Sequence, residues 1–187
     1  MAGGRMVTAL FIVDIQNDYF PGGAMEVVGA TAAATAAASL LAAFRQHARP
    51  VIHIRHIATR PGATFFLPDT VGAEIHESVR PGPGEPVFRK HFPNSFRETP
   101  LLEHLRTAGI SQLVIAGMMT HMCIDTTTRA AADLGFKCFL AHDACATRAL
   151  SFNGAQVPAE SVQTAYLAAL NGLFANVLSA NELCADI

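Results

Sequence analysis

Tryptophan is missing from this chain, charged residues make up only 15% of it, and no two cysteines are spaced as C-x-x-C. Each shortage excludes something. The four cysteines, Cys123, Cys138, Cys145 and Cys184, come without a secretory signal, so reduced thiols are expected rather than a disulfide framework. A membrane-spanning helix takes about 18 consecutive apolar residues. The best candidate, "ATAAATAAASLLAAF", is short, alanine-rich and broken by Thr and Ser. Near the N-terminus "TALFIVD" runs into Asp14 and polar "IQND", which is no signal pattern and makes a cytoplasmic protein the expectation. The 13 Lys and Arg against 15 Asp and Glu give a formal charge of -2, with no basic stripe and no acidic tail. Neither nucleic acid nor an anionic membrane is therefore expected as a partner.

What is present is apolar. A 187-residue chain that is 51% hydrophobic can bury a large core, and its length suits one domain spanning residues 1–187. Short apolar runs alternate with helical patterns. Strands are expected over 8–13, 51–57, 86–90, 112–117, 137–141 and 176–180. Helices are expected over 32–47, from Thr99 and Pro100 to Ala108, over 120–134 and over 158–174. Ser95 with Glu98 fits a capping box. Strands that read as continuous apolar runs between helices argue for a parallel sheet covered on both faces. The expected fold is therefore a three-layer α/β/α domain, with a doubly wound six-stranded parallel sheet in the order 3-2-1-4-5-6. Residues 58–86 form a long loop, with a short turn of helix near Glu74, and its "TFFLP" segment is too apolar for disorder. A lid or pocket wall is the expectation.

Ligands of open α/β sheets bind beyond the carboxyl ends of the strands. The residues at those ends are informative. Strand one ends at Asp14, followed by Gln16, Asn17 and Asp18; strand three ends at Lys90 and is followed by "HFPNSF". Strand four ends at Gly117, followed by Thr120, His121 and Cys123; strand five is followed by His142, Asp143 and Cys145. Alone, each has a bland reading: a buried inert thiol, a turn-capping Asp, a solvated Lys. Together an acid, an amine and a thiol fall on one edge of one sheet. Cys123 is expected in the first turn of its helix, where free amides and a neighbouring Lys favour a thiolate. Cys145 is the rival nucleophile, but "DACATR" supplies no clear helix start. His121 could compete with Asp14 as base.

The motifs "FIVDIQNDYF", "VFRKHFPNSF" and "AGMMTHMCID" resemble, in register and across residues 10–183, the isochorismatase-like cysteine hydrolases. That family includes nicotinamidases, N-carbamoylsarcosine amidases, ureidoacrylate amidohydrolases and the streptothricin lactam hydrolase. The resemblance implies that Cys123 is the nucleophile, that Asp14 takes its proton and later gives one to the leaving amine, and that Lys90 stabilises the thiolate. It implies a cis Met118–Met119 peptide that aims the Met119 N–H, with that of Cys123, into an oxyanion hole. The expected substrate is a small molecule cleaved at a non-peptide C–N bond (amide, lactam or N-carbamoyl), and the motifs "HFPNSF" and "GMMTHMC" look closest to the streptothricin-hydrolase branch. Asn17, Phe20, Phe65, Asn94, His121 and Met122 are the expected substrate contacts, with Phe66 close by. The Met pair suggests a soft, adaptable pocket wall.

Departures narrow the resemblance. Isochorismatases proper lack the nucleophilic Cys. Nicotinamidases carry Asp-x-His on the second strand, where this chain has His53-Ile54-Arg55-His56. His53 sits beside a cation and faces away from His56, so no metal and no cofactor are expected. A metal-assisted nicotinamidase and a catalytically silent small-ligand binder are the alternative readings. Gln16, Ser95 and Arg129 read as structural, and His142 and Asp143 as rim residues. The resemblance also implies a homodimer or homotetramer.

Overall fold

A computed structural model describes residues 6–187. Eight strands and five helices alternate along the chain: β1 (Val7–Val13), α1 (Ala30–Gln46), β2 (Val51–His56), β3 (Val87–Lys90), α2 (Leu101–Thr107), β4 (Ile110–Met118), α3 (Asp125–Asp133), β5 (Lys137–Ala146), β6 (Leu150–Phe152), β7 (Ala155–Val157), α4 (Ala159–Leu170), β8 (Asn176–Leu178) and α5 (Ala180–Ala185). Six strands form one sheet in the order β3-β2-β1-β4-β5-β8, every neighbouring pair parallel. The expected spatial order is the one found. The sixth position is held by β8 because β6 and β7 pair antiparallel in a separate hairpin.

Strands buried on both faces split their side chains between two cores. Leu10 and Ile12 of β1 pack with α1, whose Ala33, Ala37, Leu40, Leu41 and Phe44 fill one layer. Ala9, Phe11 and Val13 face the other layer with Leu101, Leu105 and Ala131 of α2 and α3. Alternation at period two thus serves both faces, which is why the sequence shows apolar runs rather than a polar stripe. Small Ala side chains on α1 let the helix lie close over β1, β4 and β5.

Several local expectations are corrected. The hairpin β6–β7 was not expected, although its turn is Asn153-Gly154, both with positive φ (49° and 80°). That is the dipeptide a two-residue hairpin turn prefers. Strand β5 does not stop at Ala141: it leaves the ladder after Leu140, which pairs with Ile115, and returns with Cys145 opposite Gly117. A fifth helix follows β8, opened by a capping box of Ser179 and Glu182. The box expected at Ser95 and Glu98 is not formed. The Ser95 hydroxyl instead meets Thr127 Oγ1 at 2.8 Å, and α2 begins at Leu101. Nor does one helix run from Thr120: a wider turn occupies Thr120–Ile124 and α3 proper starts at Asp125.

No helix among the described residues is long and apolar enough to cross a membrane.

Candidate active site

Lys90 must reach Asp14 across an intervening strand, a gap of roughly 10 Å at about 4.8 Å per strand. The register shows how it does so. Lys90 pairs with His56 at the end of β2, and its stem passes over that strand end, fully buried. Its ammonium arrives 2.6 Å from Asp14 Oδ2. The approach is too oblique for a directed hydrogen bond, so the attraction is chiefly coulombic. Directed hydrogen bonds run from Nζ to Cys123 Sγ and to the Phe92 carbonyl, both at 3.1 Å, and to His56 Nδ1 at 3.2 Å. Asp14 is buried with φ 52°, a left-handed value that Asp tolerates better than most residues. The Met118–Met119 peptide is cis.

Gly117 explains how Cys123 comes so close to β1. Its φ is 141°, and a Cβ there would collide with the Val13 carbonyl. Without a side chain, β4 packs directly against the residue that precedes Asp14, and the following turn brings the sulfur to the same strand ends.

One expectation about charge is overturned. Cys123 lies in the wide turn before α3 rather than in a first helical turn. Burial raises its thiol to about 12, the Asp14 carboxylate adds to the rise, and the Lys90 ammonium opposes it. The balance of these influences favours the protonated thiol over the thiolate. Lys90 stays protonated: burial pulls the ammonium down, but Asp14 and then Cys123 outweigh it and leave a net rise. Burial also pulls His56 down to about 4, so its imidazole is uncharged at pH 7.

Asp14, His56 and Cys123 offer donor atoms within 4.8 Å of one another, a spacing that could suit a metal. The Lys90 ammonium, however, lies 2.6, 3.2 and 3.1 Å from these same three groups. A divalent cation would share that space with a fixed positive charge, so the residues do not fit one. His53 looks elsewhere: its Nε2 meets Glu85 at 2.9 Å, and burial lowers its basicity despite that partner.

A cavity of about 360 Å³ opens over the sulfur, a size within the range of small-ligand pockets. Tyr19, Phe65, Phe66, Phe92, Met119 and Met122 form most of its wall, with His56, Thr59, Arg60 and His91 as polar members. Tyr19 packs edge-on against Phe66 at 4.6 Å, and Phe66 against Phe65 at 5.0 Å. The long loop is thus a pocket wall, as expected. Asp18 pins it: Oδ2 accepts the Phe66 N–H at 2.6 Å and Oδ1 the Ala24 N–H at 3.2 Å. Phe66 is held at φ 55° by this bond.

Of the expected contacts, Phe65 and Met122 line the cavity and four do not. Asn17 donates to the Val71 carbonyl at 2.8 Å on the outer side of the loop. Phe20 stacks on His76 at 3.6 Å, away from the sulfur. Asn94 accepts the Phe96 N–H at 2.9 Å, an Asx turn. His121 is turned to the Thr147 hydroxyl at 2.6 Å and does not line the cavity. Cys145 is buried in the core, its thiol pushed up to about 12 by burial. Asp143 caps α5 through the Ala180 N–H rather than shaping the rim. Arg129 pairs with Asp125 at 3.0 Å and is structural, as read. Gln16 is structural, as read: its amide clamps the backbone of His56. Residues of the wall not foreseen include Tyr19, His56, Thr59, Arg60, His91 and Phe92. The strand-end rule that found Asp14 and Lys90 would have found His56 if applied to β2.

A doubly wound parallel sheet thus gathers a thiol, a carboxylate and an ammonium at its carboxyl edge, beneath a pocket. The chain belongs to the isochorismatase family: the Isochorismatase domain matches residues 8–182, and the members of that family are hydrolases. It is 51% identical, over 92% of its length and 96% of the other, to the uncharacterised isochorismatase family protein YddQ of Bacillus subtilis. A streptothricin hydrolase of Streptomyces noursei is 38% identical over 75% of this chain and 50% of that protein. Among solved structures, an isochorismatase-family protein from Oleispira antarctica superposes with a TM-score of 0.94 at 52% identity, covering 99% of this chain and 100% of that one.

Proposed function

We propose that this protein is a metal-independent cysteine hydrolase that cleaves an amide, lactam or N-carbamoyl C–N bond of a small molecule through a thioester on Cys123. The observation that carries this reading is the contact of Lys90 with both Asp14 and Cys123 in one buried cluster at the foot of the cavity. A binding protein has no use for that cluster.

The chemistry follows from the charges. The resting thiol gives its proton to Asp14 as Sγ attacks the scissile carbonyl carbon, and Lys90 takes up the negative charge that forms on sulfur. The N–H groups of Met119 and Cys123, both cavity residues, hold the oxyanion. Collapse of the tetrahedral adduct breaks the C–N bond, and Asp14 returns the proton to the departing nitrogen. Water activated by Asp14 then opens the thioester and frees the sulfur. A thiol that ionises only in step with attack avoids burying a free thiolate.

The similarity to streptothricin hydrolase supports a lactam or amide among the possible bonds, while the aromatic wall favours a compact, flat apolar body. Cys123→Ala should abolish ammonia or amine release across a panel of amides, lactams and N-carbamoyl compounds. Mass spectrometry with a slow substrate should find the acyl group on the peptide containing Cys123. Full activity in Cys123→Ala would end this reading.

A further inference from the structure

Of the polar side chains on the wall of the cavity beside Cys123, His91 spends its Nδ1–H on the Ile57 carbonyl at 2.8 Å, and two others that the bond cleavage itself does not use carry the argument. The first is His56. Its Nδ1 lies 3.2 Å from the Lys90 ammonium, and an ammonium only donates. Nδ1 must therefore accept, which puts the ring hydrogen on Nε2, the nitrogen away from Lys90. The Gln16 amide holds the residue in place, donating to the His56 carbonyl at 2.9 Å and accepting its N–H at 2.7 Å. Among the described residues nothing accepts a hydrogen bond from Nε2. An unused N–H donor thus stands on the cavity wall.

The second is Arg60. It is the one residue on the wall with a fixed charge, and none of the ion pairs among the described residues includes it. No Asp or Glu lines the cavity. Asp14 lies beneath the floor, fully buried and matched by Lys90. A cationic ligand would therefore meet Arg60 and find no acid. A neutral one can accept from both donors but leaves the charge of Arg60 unmatched. An anion would satisfy both, while its apolar body lies against Tyr19, Phe65, Phe66 and Phe92.

We propose that the substrate is an amide whose flat apolar body carries a carboxylate or a similar anionic acceptor, recognised by Arg60 and by the Nε2–H of His56. This rests on the cysteine-hydrolase reading and narrows its substrate class.

The test is ammonia release from three benzamides that differ in the para group: carboxylate, methyl and aminomethyl. The wild-type protein should prefer the carboxylate over the methyl compound by about tenfold or more, expressed in KM, the size expected of one hydrogen bond to a charged group. It should be slowest with the cation. Arg60→Gln should bring the carboxylate-to-methyl ratio close to unity. His56→Phe should lower it, and His56→Gln, which keeps a donor, should restore part of it. Equal use of all three compounds, or an unchanged ratio in Arg60→Gln, overturns the proposal and leaves the hydrolase reading standing. If no benzamide is cleaved, binding is read separately, as protection of Cys123 from iodoacetamide. Stronger protection by 4-carbamoylbenzoate than by the methyl compound, lost in Arg60→Gln, supports the charge reading even where the hydrolase reading fails. No difference in protection overturns it.

Discussion

Replacing Lys90 by Met keeps most of the side-chain volume and removes the cation that lies against Asp14. At 2.6 Å the pair's attraction is about 6 kcal/mol for an effective dielectric constant of about 20, much of it offset by the desolvation of two buried charges. What remains after the change is a carboxylate with no exposure to solvent and no partner. Breaking a buried pair in this way typically costs about 3–5 kcal/mol. The loss should depend on pH, and its sign is fixed. The folded variant can shelter the carboxyl only by holding a proton that the unfolded chain releases above about pH 4. Folding then takes up a proton, so stability falls as pH rises, by up to about 1.4 kcal/mol per unit. The variant should thus be near wild type at pH 4, and its full deficit should develop by about pH 6–7.5. Urea denaturation followed by circular dichroism from pH 4 to pH 8 measures this directly. Adding Asp14→Asn should recover most of the loss, because the uncompensated charge is gone. A Lys90→Met deficit under about 1 kcal/mol at pH 7, with no slope against pH, would refute the reasoning and mean that the pair is solvated.

Three further outcomes are expected. Asp18→Asn keeps an acceptor for one of the Phe66 and Ala24 N–H groups and turns a donor on the other, so stability should fall by about 1–3 kcal/mol. KM should rise more than kcat falls, because the aromatic wall loosens while Asp14, Lys90 and Cys123 stay in place. His56, held at about 4 against about 6.5 in the unfolded chain, is depressed on folding. The wild type should therefore lose stability as pH drops from about 6.5 to 4, with a contribution from His56 of about 3 kcal/mol. Comparison with His56→Gln in the same denaturation series isolates that part. Gly117→Ala should destabilise by about 3 kcal/mol or more, since its Cβ would have to occupy the place of the Val13 carbonyl. A variant as stable as wild type would show that β4 can retreat from β1.

How much of this could be read from the chain follows from where the forces are local. The sheet order and the strand-end positions of Asp14, Lys90 and Cys123 were legible, because apolar runs and the rule for open sheets both act through the backbone. The hairpin was legible too, in Asn153-Gly154, but its short polar strands hid it. The ionisation of Cys123 was misread. A helix start and a nearby Lys argue for a thiolate, yet burial beside an already negative Asp14 weighs more, and burial depth is a tertiary property. Asn17, Phe20 and Asn94 follow strand ends as the pocket residues do. Asn17 and Phe20 were turned by distant partners, Val71 and His76, whereas Asn94 closes a local Asx turn on the Phe96 N–H. The path of Lys90 over β2 was likewise hidden, since it depends on the register of a third strand.

Asp14 and Lys90 ride on strand termini tied into one sheet and Cys123 on the turn that leaves β4, whereas much of the cavity wall belongs to the segment 58–66. That division separates two kinds of change. Substitutions among Thr59, Arg60, Ala63 and Phe65 can redraw what fits without touching proton transfer, while Asp18 sets how firmly the new outline is held. A protein arranged in this way can be retargeted from one compound to another by rewriting a few neighbouring codons, its bond-breaking apparatus inherited intact.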